Sequence, residues 1–137
     1  MLVNVWATWC EPCKEEFPAL LRLDRELRGK GFKLILVSAD FPDLRPQVER
    51  FLADHAVDFP TFLKDEPDDQ FISALEPRWS GALPATILFD PSGARRQFWE
   101  GKSTYDVLVA RVGALLAAGA RGPSGASGRE HRSTLPS

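Results

Sequence analysis

Leu2-Val3-Asn4-Val5-Trp6-Ala7-Thr8-Trp9-Cys10-Glu11-Pro12-Cys13-Lys14-Glu15-Glu16-Phe17-Pro18 is the stretch on which the reading of the fold turns. Its first five residues, apolar or β-branched apart from Asn4, have the pattern of a buried strand. The strand starts within the first residue or two, with no lead-in, which is odd for a strand placed mid-sheet. It suggests that a preceding part of a longer protein is absent. After a short loop, Phe17, Leu20, Leu21, Leu23 and Leu27 recur at helical spacing, predicting a helix from about Cys13 to Arg28. Pro12 suits its first turn, Gly29 and Gly31 stop it, and Pro18 should kink it. Phe32–Ala39 then reads as a second buried strand. Strand, helix and strand in this order imply parallel pairing through a crossover.

Farther along, Leu44, Val48, Phe51, Leu52 and His55 share one face of an expected helix over Leu44–Ala56. Thr61–Leu63 follows Pro60 as an extended piece, and Pro67–Leu75 reads as a short helix. Trp79–Pro84 reads as a loop and Ala85–Phe89 as a strand. Asp90-Pro91-Ser92-Gly93 is a turn by composition, so Ala94–Trp99 should return as an antiparallel partner. A last helix is expected near Ser103, with Ser103 and Asp106 resembling a capping box. Tyr105, Leu108, Val109, Val112 and Leu116 would line its buried face. The expected domain is 1–118. Residues 119–137 are rich in Gly, Ser, Arg and Pro and read as a disordered tail.

The 137 residues suffice for one domain with a proper core. A net charge of −2 leaves no electrostatic footprint for nucleic acid or an anionic membrane. The longest apolar runs, such as Leu34–Val37, are far too short to span a bilayer. No signal peptide is legible at the N-terminus.

Only two cysteines are present, three positions apart. A bridge between them closes so small a loop that stabilisation is a poor reason for it. A C-x-x-C beside a β-α-β pattern is a redox signature. Cys10 falls just before the helix and Cys13 in its first turn, where unpaired N–H groups and the helix dipole favour thiolate. Cys10 is therefore expected as the exposed nucleophile, and Cys13 as the thiol that resolves the mixed disulfide. Glu11 places a negative charge beside Cys10 and should make the centre more reducing. Three alternatives stay open. Zinc would need four ligands, and only His55 and His131 remain as partners. The cysteines could be packed without activity. A peroxidase would place a lone attacking cysteine in a different local sequence. Neither a metal nor a cofactor is expected.

Trp6-Ala7-Thr8-Trp9-Cys10-x-Pro12-Cys13-x-x-Glu16-x-Pro18, together with Gly81-Ala82-Leu83-Pro84-Ala85-Thr86-Ile87-Leu88-Phe89-Asp90 and Gly93, resembles the TlpA/ResA-like branch of the thioredoxin superfamily. The likeness covers Leu2 to about Leu116. It implies an α/β thioredoxin-like fold, a central mixed sheet flanked by helices, without the N-terminal strands of full-length members. It also implies a thiol–disulfide oxidoreductase, in a branch some of whose members reduce apocytochrome c cysteines. By the same resemblance Leu83–Pro84 is cis, leaving the Leu83 main chain free for an extended substrate strand. Glu16 would lie beside the cysteines and assist proton transfer. Ordinary thioredoxins carry an acid six residues before the first cysteine, where this chain has Asn4, which shifts that proton role toward Glu16. Trp9 is expected to shield Cys10, whereas Trp79 and Trp99 are expected to pack. The implied partners are protein thiols or disulfides and an upstream dithiol donor, for a monomer in an extracytoplasmic or periplasmic setting. The competing reading is a non-catalytic peptide-binding domain, or an inactive truncated product.

Overall fold

The computed structural model describes residues 1–63, 76 and 78–121, the last four as backbone alone. Leu2–Trp6 forms β1, Glu11–Leu27 α1 and Leu34–Ser38 β2. A 3-10 turn at Pro42–Leu44 leads into α2, Arg45–Asp54, followed by the short β3, Phe62–Leu63. Ala85–Phe89 is β4, Arg95–Glu100 is β5 and Tyr105–Arg121 is α3. The expected helix at Pro67–Leu75 lies outside the described residues. So does the expected tail beyond Arg121; its first three residues, 119–121, continue α3.

One mixed sheet runs β3-β2-β1-β4-β5. β1 is its middle strand, parallel to β2 from Leu2↔Leu34 to Trp6↔Ser38 and antiparallel to β4 from Leu2↔Leu88 to Val5↔Ala85. This explains why all five β1 residues are buried. Leu2 and Trp6 point to the face covered by α1, α2 and α3, with Phe17, Leu20, Leu23, Val48, Leu108 and Val112. Val3 and Val5 point to the other face, against Ile87, Phe89, Trp79 and Ala85. β4 and β5 form the expected hairpin, with an irregularity at Leu88/Phe89. Asp90 Oδ1 accepts from the Ser92 and Ala94 N–H groups and holds its turn.

Two local readings change. α1 starts at Glu11, since Cys10 is its N-cap, and it contains Pro18 on its exposed side. The cap of α3 is Thr104, whose Oγ1 accepts from Val107 N–H at 3.3 Å and whose carbonyl accepts from Leu108 N–H. The capping-box reading of Ser103 and Asp106 fails because the Ser103 hydroxyl is engaged by Trp99 Nε1 instead.

Candidate active site

β1 delivers the chain to a tight turn, closed by Cys10 N–H on the Ala7 carbonyl at 3.2 Å, and α1 begins at once. Cys10 sits in extended backbone at the N-cap, and its Sγ accepts from Cys13 N–H at 3.3 Å. A sulfur at this position faces the unpaired N–H groups of the first helical turn, which stabilise a thiolate. Pro12 fits the same turn, where a missing N–H costs nothing. Cys10 and Cys13 are disulfide-bonded, their Cα atoms 5.3 Å apart. Cys13 is 1% exposed and Cys10 6%. Cys10 is thus the more accessible of the two residues, but it is far from the open position expected of it, because it packs into the apolar cluster that also contains Trp6, Ala7 and Phe17.

Trp9 is 61% exposed and largely in solvent, which does not suit the shield expected of it. Glu11 is also exposed, and its carboxylate pairs with Lys14 at 3.4 Å. Solvent and that cation both weaken the field it exerts on Cys10.

Glu16, one helical turn beyond Cys13, is buried. Its Oε2 accepts from Ser103 N–H at 2.8 Å and its Oε1 from Asn4 Nδ2 at 3.2 Å. Burial pushes its carboxyl above the ordinary range, and the Ser103 and Asn4 bonds oppose that without cancelling it. The Asn4 amide also donates to Thr86 Oγ1 at 3.2 Å, while its own Oδ1 is buried with no partner. Turned over, that amide would present an acceptor to a protonated Glu16 and take a bond from the Thr86 hydroxyl. Asn4 can therefore serve either protonation state of Glu16, which an aspartate could not do.

The Leu83–Pro84 peptide is cis. Leu83 packs against the cluster that holds both cysteines. The Pro84 carbonyl is taken by Gly101 N–H at 2.8 Å. Ahead of it, Ser80 bonds the Glu100 carboxylate through its N–H at 2.8 Å and through its hydroxyl, and Trp79 Nε1 donates to the Ala82 carbonyl at 2.8 Å. Trp79 is accordingly a packing residue. Trp99, half-buried, has Arg111 stacked over its ring at 4.2 Å. His55 packs its ring against Phe17 and Phe51, with Nδ1 on the Phe51 carbonyl at 2.9 Å. His131 lies outside the described residues. Among the described residues, no three His, Cys, Asp or Glu side chains are grouped to hold a metal.

Sequence reasoning passed over Asp40, took Thr8 only as part of a motif and took Ser103 for a helix cap. Asp40 is fully buried and accepts from Thr8 N–H, Thr8 Oγ1 and Ser38 Oγ. A signal for it existed. Leu34, Leu36, Ser38 and Asp40 keep one period-2 phase, and all four are buried.

Comparison with known proteins adds relatives to this geometry. The model of the AhpC/TSA family matches residues 1–97. The thiol-disulfide oxidoreductase ResA of Oceanobacillus iheyensis is 32% identical over 108 residues, 79% of this chain and 53% of that protein. The chain spans about half the length of the curated relatives it matches. A thioredoxin-related protein from Neisseria meningitidis serogroup B superposes with a TM-score of 0.70 at 25% identity, covering 85% of this chain and 84% of that one. A secreted thiol-disulfide isomerase from Corynebacterium glutamicum gives 0.71 at 22% identity, over 85% of this chain and 70% of that one, a likeness of fold.

Proposed function

This chain belongs to the AhpC/TSA family, and from that premise we propose that it is a thiol–disulfide oxidoreductase acting on protein disulfides through Cys10 and Cys13. The observation that carries the proposal is Cys10 Sγ at the N-cap of α1, bonded to the sulfur one turn on. In the reduced protein the Cys10 thiolate attacks one sulfur of the substrate disulfide, whose S–S bond breaks and releases a substrate thiolate. Cys13 then loses its proton and attacks Cys10. The second substrate sulfur leaves, and the Cys10–Cys13 bridge holds the two electrons' worth of oxidation. An upstream dithiol reverses that change. The Leu83 main chain offers the N–H and C=O along which an extended substrate segment would lie.

Glu16 is the group we assign to accept the Cys13 proton. A carboxylate with a raised affinity for protons, one turn from the thiol, suits that exchange near neutral pH. Between the ordinary carboxylate value and the raised one, folded protein keeps a proton that the unfolded chain has lost. Stability contributed by Glu16 therefore falls as pH rises through that window. Glu16→Gln should flatten the pH dependence of the melting temperature above the ordinary carboxylate range, while slowing disulfide exchange by roughly 10- to 100-fold. An unchanged exchange rate would remove Glu16 from the mechanism. Glu11→Gln should make the centre slightly more oxidising, by less than about tenfold in its equilibrium with glutathione, because Glu11 is solvated and paired with Lys14.

The direct test of function is stoichiometric. Pre-reduced protein should reduce one insulin disulfide per molecule and end as the Cys10–Cys13 bridge, and failure to do so would overturn the proposal. Tightly bound zinc at one ion per chain would favour a metal site instead. The substrate class we propose includes cysteine pairs held reduced for haem attachment. The setting we propose is extracytoplasmic, in line with the naming of the Corynebacterium protein as secreted. No helix among the described residues is long and apolar enough to cross a membrane. We propose a monomer, for which light scattering should return the mass of one chain.

A further inference from the structure

We propose that Asp40 is a positioning residue for disulfide exchange: its buried carboxylate fixes the turn before Cys10 and so sets the line along which Cys10 meets a substrate disulfide. The inference rests on the reading of Cys10 as the nucleophile.

Asp40 lies two residues beyond β2 and is 0% exposed. Thr8 N–H reaches both of its oxygens, at 3.3 and 3.1 Å, and Thr8 Oγ1 donates to Oδ1 at 2.7 Å. Ser38 Oγ donates to Oδ2 at 2.6 Å, and Asp40 N–H returns a bond to Ser38 Oγ at 3.0 Å. Among the described residues no Lys, Arg or His forms an ion pair with Asp40. A carboxylate taken out of water without a cation is costly unless hydrogen bonds satisfy it. Here neutral donors do so, and most of them come from one residue, Thr8.

Thr8 is the second residue of the turn that Cys10 N–H closes onto the Ala7 carbonyl. Ala39 N–H bonds the Trp6 carbonyl at 2.7 Å, so the ends of β1 and β2 are joined just before the Asp40–Thr8 clamp. The turn is thereby held at both ends and in its middle, and Cys10 Sγ leaves it at a fixed angle. Exchange is sensitive to that angle, since misplacing a reacting group by about 1 Å can cost on the order of 100-fold. An ionised carboxylate only accepts, through two oxygens. Asparagine in its place would offer one oxygen and turn an NH2 group on a donor, so the clamp could not be kept whole.

The test uses Asp40→Asn, Thr8→Val and Thr8→Ser in the full chain, each scored per folded molecule against its melting curve. Insulin reduction should slow by about tenfold in Asp40→Asn. Alkylation of Cys10 by iodoacetamide, a small reagent free to orient itself around the thiolate, should be no slower than in the parent. Thr8 is half-buried, so its variants should fold even if Asp40→Asn does not. Thr8→Val should then slow insulin reduction severalfold, and Thr8→Ser, which keeps the hydroxyl, should restore it. Insulin reduction within twofold of the parent in Asp40→Asn, or in Thr8→Val should Asp40→Asn misfold, would overturn the proposal. An equal fall in both reactions would also overturn it, marking loss of thiolate rather than of orientation. A parent protein unable to reduce insulin would strike earlier, at Cys10 itself.

Discussion

In Cys13→Ser, insulin turnover falls by more than about a thousandfold, and the protein accumulates joined to its substrate through Cys10. The asymmetry of the pair dictates this outcome. Cys10 is the N-cap of α1 and the more accessible of the two residues, so it still attacks; Cys13 is nearly sealed and reaches only Cys10. Without the resolving thiol the mixed disulfide has no internal exit and waits for an external thiol. Non-reducing electrophoresis should show a substrate-shifted band that collapses with dithiothreitol. Cys10→Ser should give neither turnover nor the band. If Cys13→Ser instead turned over freely, or the trapped species ran through Cys10→Ser, the assigned order of attack would be wrong.

Phe17→Ala is the substitution expected to cost the fold most, about 3–5 kcal/mol. Phe17 is fully buried, with ring centroids 5.1 Å from Trp6, 4.9 Å from Phe51 and 5.3 Å from His55. Removing it opens a void between β1, α1 and α2 that three rigid aromatic neighbours cannot easily refill. A domain of this size has roughly 5–15 kcal/mol in hand, so the variant would be partly unfolded at 37 °C if the parent sits at the bottom of that range. Urea denaturation measures the difference. Phe62→Ala is the matching control, since Phe62 is 56% exposed on a two-residue edge strand. It should stay within about 0.5 kcal/mol of the parent. Equal losses in the two variants would mean that the aromatic cluster is not what holds α2 to the sheet.

The elements that sequence made plain are those whose signal is local. Leu2–Trp6 has the unbroken apolar character of a central strand, Phe17 to Leu27 the helical period, and Asp90–Gly93 the chemistry of a turn. The Cys10–Cys13 spacing with Pro12 located the redox pair by the same kind of short-range pattern. What escaped depends on distant partners. Ser103 looked like a helix cap because it precedes an acidic turn; it bonds Glu16 and Trp99 instead, and Thr104 caps α3. The Glu16–Ser103 link joins positions 87 apart, a separation that no window on one sequence can bridge. Asp40 reads as a polar residue in the loop after a strand, and only the continued alternation from Leu34 hinted that it points inward. The depth of Cys10 was illegible for another reason: exposure is set by what packs around the bridge, not by its spacing.

The connection from Gly101 to Thr104 makes four attachments in four residues. Gly101 N–H holds Pro84, Lys102 pairs with Glu15, Ser103 N–H holds Glu16, and Thr104 starts α3. One consequence concerns length rather than chemistry. Adding or deleting a residue here would throw every later attachment out of step, because each anchor is one position from the next. The Asp90–Gly93 turn, exposed at its tip and tied mainly to itself, carries no such constraint. An engineer grafting an epitope or a tag, or a lineage drifting by insertion, would find room at the hairpin tip and none at residues 101–104.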